Sequence, residues 1–96
     1  MIDTSQVLPG QLVISKAGRD IGRCFVVINI LDEQYVSLVD GCLRKIEKPK
    51  KKKIKHLIKT NHISEFIVDK LNKSEKITNV MVRREIEKLD IESDLG

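Results

Sequence analysis

Residues 10–39 read GQLVISKAGRDIGRCFVVINILDEQYVSLV, and the fold is decided there. Pro9-Gly10 punctuates the chain just before it. Gln11-Leu12-Val13-Ile14-Ser15 is a short run of branched residues and predicts a first strand. A polar loop with Gly18 and Gly22 follows over 16–22. Residues 23–31 give the longest strand. Cys24, Val26, Ile28 and Ile30 share one face, and Phe25, Val27, Asn29 and Leu31 share the other. Apolar residues on both faces place this strand in the middle of a sheet, or bent across two sheets. Asp32-Glu33-Gln34 is a turn, and 35–39 a third strand.

Downstream, Asp40-Gly41 predicts a two-residue hairpin, because a type I′ turn needs positive φ at both positions. The return strand is expected over 42–46. Pro49 stiffens the entrance to a loop of four lysines, Lys50, Lys51, Lys52 and Lys53. A last strand over 54–58 carries Ile54, Leu57 and Ile58. Five short strands with regular turn signals predict a mostly β chain built on a small antiparallel barrel.

Beyond residue 60 the period lengthens. Ile63, Phe66, Ile67 and Leu71 fall on one helical face, with Ser64 as N-cap. Asn72-Lys73-Ser74 breaks this helix. Thr78 or Asn79 caps a second, whose apolar positions are Val82, Ile86 and Leu89 and whose end should fray from Asp90. Neither helix is stable alone in water, so each must dock on the barrel, on the other helix or on a partner. The expected organisation is a barrel over 1–60 and a two-helix appendage over 61–96.

The chain has 96 residues, enough for one small domain. Aromatics are 3%, namely Phe25, Tyr35 and Phe66. That argues against an aromatic cage and against single-strand binding through stacked bases. No apolar run reaches the roughly 18 residues of a membrane span, and no secretory leader follows Met1. A cytoplasmic protein is the expectation. Cys24 and Cys42 match no metal spacing and are expected as small buried hydrophobes in strands. His56 is expected half-buried in a strand, and His62 in a loop or at a helix start. No nucleophile motif, nucleotide-triphosphate loop or metal-binding histidine pair is present. The sequence therefore predicts no enzyme activity, no cofactor, no metal and no small-molecule substrate.

Charge is the strongest signal. The net is +4 overall, but residues 1–60 carry +6 and residues 61–96 carry −2. Within 44–59 nine Lys and Arg face Glu47 alone. Such a density repels itself in a small fold, and a polyanion relieves it. Lys16, Arg19 and Arg23 lie in or beside the first loop, and Arg44, Lys45, Lys48, Lys50, Lys51, Lys52, Lys53 and Lys55 run through the second basic stretch. Lysines and arginines in loops meet phosphates without distorting a sheet, and Gly18 lets backbone amides approach closely.

Gly10-Gln11-Leu12-Val13, then Ala17-Gly18-Arg19-Asp20-Ile21-Gly22-Arg23 and the strand Phe25-Val26-Val27, resemble the KOW motif of SH3-like barrels in ribosomal proteins and transcription elongation factors. Ile28 to Val39 and the basic run closing on Lys53-Ile54-Lys55-His56-Leu57, with Thr60 after it, are similar to the large-subunit ribosomal protein fourteen family of archaea and eukaryotes. The resemblance covers about residues 10–60. Residues 61–96, short and acidic, look instead like small bacterial KOW-type proteins. The resemblance implies a five-stranded SH3-like barrel. It also implies contact with folded RNA, ribosomal RNA in the first place and ribosomal proteins beside it. The implied RNA contacts are Lys16, Gly18, Arg19, Arg23 and the basic residues from Arg44 to Lys55. The alternative is a protein-interaction adaptor of the translation or transcription machinery. It would present Phe66, Val82, Ile86 and Leu89 to a partner.

Overall fold

The computed structural model describes residues 7–95, with the side chains of 90–95 excepted. Five strands, β1 (Gln11–Ser15), β2 (Cys24–Ile30), β3 (Tyr35–Val39), β4 (Lys50–Lys53) and β5 (Leu57–Ile63), precede two helices, α1 (Glu65–Asn72) and α2 (Asn79–Leu95). The strands form one antiparallel sheet in the order β4-β3-β2-β1-β5. β2 is its middle strand, as its two apolar faces require. One turn of 3-10 helix, Ile54–His56, links the edge strands β4 and β5. No ladder pairs these edges, so the sheet is not closed.

Each face of β2 has its own core. Phe25 and Val27 pack with Val7, Val13, Val36, Leu38 and Leu57, with Ile54 at the margin. Val26 packs on the other face with Leu12, Val39, Ile67, Ile77, Val82 and Leu89. The helices thus supply the second half of the core, and Cys24, Ile28, Ile46, Leu71 and Ile86 border it. Fully burying Ile67 and Val82 contributes about 1.5–3 kcal/mol each, which isolated helices of this length lack. The register slips between Val27 and Asn29, where β2 carries one residue more than β3. Ile30 and Leu31 lie beyond this bulge and are exposed.

A second bulge lies where β1 meets β5, between Gln11 and Val13. Side chains satisfy the interrupted ladder there. Thr60 Oγ1 donates to the Leu12 carbonyl at 2.7 Å, and Gln11 Nε2 donates to the Thr60 carbonyl at 3.0 Å. Ser64 caps α1 as expected, accepting from Ile67 N at 3.1 Å. Thr78 Oγ1 accepts from Met81 N at 3.3 Å at the start of α2, which continues past Asp90 to Leu95.

Three sequence expectations need correction. First, the lysine run is not a loop: Lys50–Lys53 is β4, paired with β3 from Leu38↔Lys50 to Tyr35↔Lys53. Second, residues 42–46 are not a strand, and Asp40-Gly41 does not close a two-residue hairpin. The connection from β3 to β4 spans 40–49. Asp40 Oδ1 accepts from Cys42 N and Arg44 N, both at 2.8 Å, and so organises the longer turn. Third, the last strand starts at Leu57 rather than at 54. His56 is consequently in the 3-10 turn and His62 within β5.

Cys24 and Cys42 are not joined by a disulfide. Cys24 is half-buried in β2, whereas Cys42 is exposed in the loop, against the expectation of a buried strand residue. Among the described residues no helix is long and apolar enough to cross a membrane.

Candidate functional site

Alternation along β4 sorts its four lysines by role. Lys50 and Lys52 stand opposite Leu38 and Val36, the core-facing residues of β3. A lysine on that side must carry its charge to a partner, and Asp20 in the β1–β2 loop is that partner. Lys52 Nζ lies 3.0 Å from Asp20 Oδ1 and donates to the Ala17 carbonyl at 2.8 Å. Lys50 Nζ lies 2.8 Å from Asp20 Oδ2. Ser15 Oγ donates to Asp20 Oδ1 at 2.8 Å. Lys52 is only 8% exposed. It is a structural cation, and its ammonium holds the glycine loop against β4.

Burial opposes ionisation of Asp20. Hydrogen bonds from Lys50, Ser15 and Lys52, with the charge of Lys50, outweigh it and hold the carboxyl well below its ordinary value of 3.8. The folded-state value lies below the unfolded one. The pairing therefore stabilises the fold at every pH above the ordinary carboxylate range, and that contribution falls away as pH drops through about 4 and lower. Asp20→Asn should lose about 2–4 kcal/mol at neutral pH, because it leaves Lys52 buried beside a neutral amide. Its stability should also fall less steeply than that of the native chain between about pH 5 and 2. Urea titrations across that range check both, and parallel acid profiles would remove Asp20 from this role.

Lys51 and Lys53 point the other way, beside Tyr35. Their Nζ atoms lie 4.5 and 5.8 Å from its ring centroid. Lys53 also lines a groove of about 520 Å³ with Lys16, Lys55, Lys59, Glu33, Gln34, Ile54 and Leu57. The 3-10 turn creates this groove. It sets Lys55 on the same groove as Lys53, and the pairing of β5 with β1, with Lys59 opposite Val13, sets Lys59 there with Lys16. Lys16 N donates to the His56 carbonyl at 2.9 Å, and Ile54 N to the Gln34 carbonyl at 2.8 Å, fixing both walls. Among the described residues Lys16 and Lys55 make no ion pair, and both are exposed.

The remaining cations stand elsewhere. Arg19 is exposed in the β1–β2 loop beside Gly18. Arg23 reaches Asp40 at 3.4 Å and lines a separate hollow with Cys24, Cys42 and Arg83. Arg44, Lys45 and Lys48 are exposed on the 40–49 loop. Asn79, the first residue of α2, fastens that loop. Its Oδ1 accepts from Ile46 N at 2.8 Å, and its Nδ2 donates to both carboxylate oxygens of Glu47 at 3.1 Å. The Asn79 bond lowers the pKa of Glu47.

The sequence-predicted cations thus fall into several groups. Lys16, Lys53 and Lys55 share the groove, Lys50 and Lys52 are both ion-paired to Asp20, Lys51 stands on β4 beside Tyr35, and the rest project from two loops. Sequence reasoning missed Lys59, Glu33 and Gln34 as groove residues, because only the reversal at Ile54–His56 brings them to Lys16. The apolar positions of α2 named for an adaptor, Val82, Ile86 and Leu89, pack on the sheet, while Phe66 is exposed with Lys70 Nζ 5.3 Å from its ring centroid. Among the described residues, no cluster of His, Cys, Asp or Glu has the numbers to hold a metal ion. No protein-family model matches the chain, and no curated protein matches it.

Proposed function

We propose that this chain is a cytoplasmic, ribosome-associated RNA-binding protein that grips the phosphates of folded RNA. Its groove lysines and the exposed arginines and lysines of its two loops make the contacts. The observation that carries this reading is the convergence of Lys16, Lys53, Lys55 and Lys59 on one groove. Lysines gathered on one groove raise the positive potential there, and a phosphodiester backbone drawn to it releases its own counterions. The KOW resemblance of residues 10–60 supports the same reading. An SH3-like barrel is the proposed fold type, on two grounds: the sheet order β4-β3-β2-β1-β5, and the single 3-10 turn that carries the chain from one sheet edge to the other. Ribosomal RNA is the proposed RNA, with ribosomal proteins as neighbours.

The mechanism is positional and electrostatic. Lys52 and Asp20 hold the β1–β2 loop, so that Gly18 and Arg19 are presented from a fixed base. Phosphate contacts of this kind set register on the RNA and carry little sequence information. If about six phosphates are engaged, log affinity should fall against log salt with a slope of about −4 to −5. Filter binding of ribosomal RNA fragments from low to moderate salt measures the slope. A slope near zero, or no retention of RNA at low salt, would refute the reading.

A further inference from the structure

We propose that the groove selects an unpaired guanosine of the bound RNA strand. This inference rests on the RNA reading above and adds the identity of one nucleotide. The groove, at about 520 Å³, falls within the roughly 300–1,000 Å³ typical of small-ligand sites. Its cationic side is Lys16, Lys53, Lys55 and Lys59. Its apolar part is the half-buried Ile54, with the buried Leu57 behind it, and the flat face of a single base lies on Ile54 without an aromatic ring. Its remaining side is Glu33 and Gln34.

Glu33 is the informative residue. It is a carboxylate in a groove of lysines, yet it forms no ion pair among the described residues. Its turn is fixed rather than loose. Asp32 Oδ1 accepts from Gln34 N at 2.7 Å and from Tyr35 N at 2.8 Å, and the Gln34 carbonyl accepts from Ile54 N at 2.8 Å. An ionised carboxylate only accepts hydrogen bonds, through two oxygens side by side. The Watson–Crick edge of guanine offers two adjacent donors, N1–H and N2–H. Adenine and cytosine each set one donor beside an acceptor, and uracil flanks its single donor with two acceptors. Guanine alone matches Glu33 with both hydrogen bonds, and only when it is unpaired, because pairing occupies the same edge. The phosphates on either side of the nucleotide then fall to Lys16, Lys53 and Lys55.

Fluorescence anisotropy with labelled hexanucleotides tests this. One probe is all uridine, and three others carry a single central G, A or C. The G hexamer should bind at least fivefold more tightly than the other three. Glu33→Gln should reduce that preference below twofold, because its amide presents a donor where an acceptor is needed. The same variant should bind the uridine hexamer more tightly, since a repelling charge is gone. Equal affinities for the four hexamers, an intact preference in Glu33→Gln, or no binding of any hexamer would each overturn the guanosine assignment while ribosomal RNA still binds. Failure of both hexamers and ribosomal RNA to bind would remove the RNA reading itself.

Discussion

Alanine at Gly41 should destabilise the fold by about 3 kcal/mol or more, whereas alanine at Gly22 should cost only about 1 kcal/mol. Both glycines have positive φ, +78° and +83°, so each substitution carries the same left-handed strain of roughly 1–2 kcal/mol. The difference lies in what the new methyl group meets. At Gly22 there is nothing within 4 Å. At Gly41 a Cβ would stand 2.5 Å from the Asn79 carbonyl oxygen and 2.9 Å from Arg83 Cγ. A backbone carbonyl at the start of a helix does not swing aside as a side-chain tip does. α2 must back away from the 40–49 loop, weakening the Arg83 bond to the Gly41 carbonyl and the Asn79 bonds to Ile46 and Glu47. Paired urea titrations of the two variants measure the contrast. Equal losses would mean that α2 does not press on Gly41 in solution.

Removing Lys16, Lys53, Lys55 and Lys59 together by alanine substitution should weaken RNA binding about a hundredfold at moderate salt. It should also flatten the salt dependence by about three of the four to five log units per log unit expected. The control is a second quadruple variant, with alanine at Lys70, Lys73, Arg84 and Lys88. It changes net charge equally, but on the helical segment, whose balance is −2 over 61–96. That variant should lose less than about threefold, since charges outside the groove and the two basic loops act on the RNA only through screening salt. Circular dichroism on both establishes that the sheet survives. An unchanged slope in the groove variant would take the groove out of the interface. Equal losses in the two variants would reduce the effect to net charge alone.

The strands up to Val39 were legible because their apolar residues alternate and β2 is apolar on both faces. The helices were legible because Ser64 and Thr78 are capping residues placed ahead of apolar residues at helical spacing. β4 was not legible. Lysine is a poor strand former, and nothing local marks KKKK as a strand. It pairs because Asp20 makes an ion pair with each ammonium group on its inner side and Tyr35 lies beside the two on its outer side. Those partners are distant in sequence, so the segment reads as a loop until the β1–β2 loop is placed against it. The groove was half legible for a similar reason. Lys16, Lys53 and Lys55 announce themselves by charge, whereas Lys59, Glu33 and Gln34 join them only through the 3-10 reversal.

The Asn79 fastening has a consequence for recognition. The loop that bears Arg44, Lys45 and Lys48 is pinned near its centre by the helix, at Ile46 and Glu47. Much of the conformational entropy that a ten-residue tether would surrender on meeting RNA is therefore lost already when the chain folds. The anionic end of the molecule, unsuited to touching a phosphate, thereby serves as the preorganising brace for its cationic fingers.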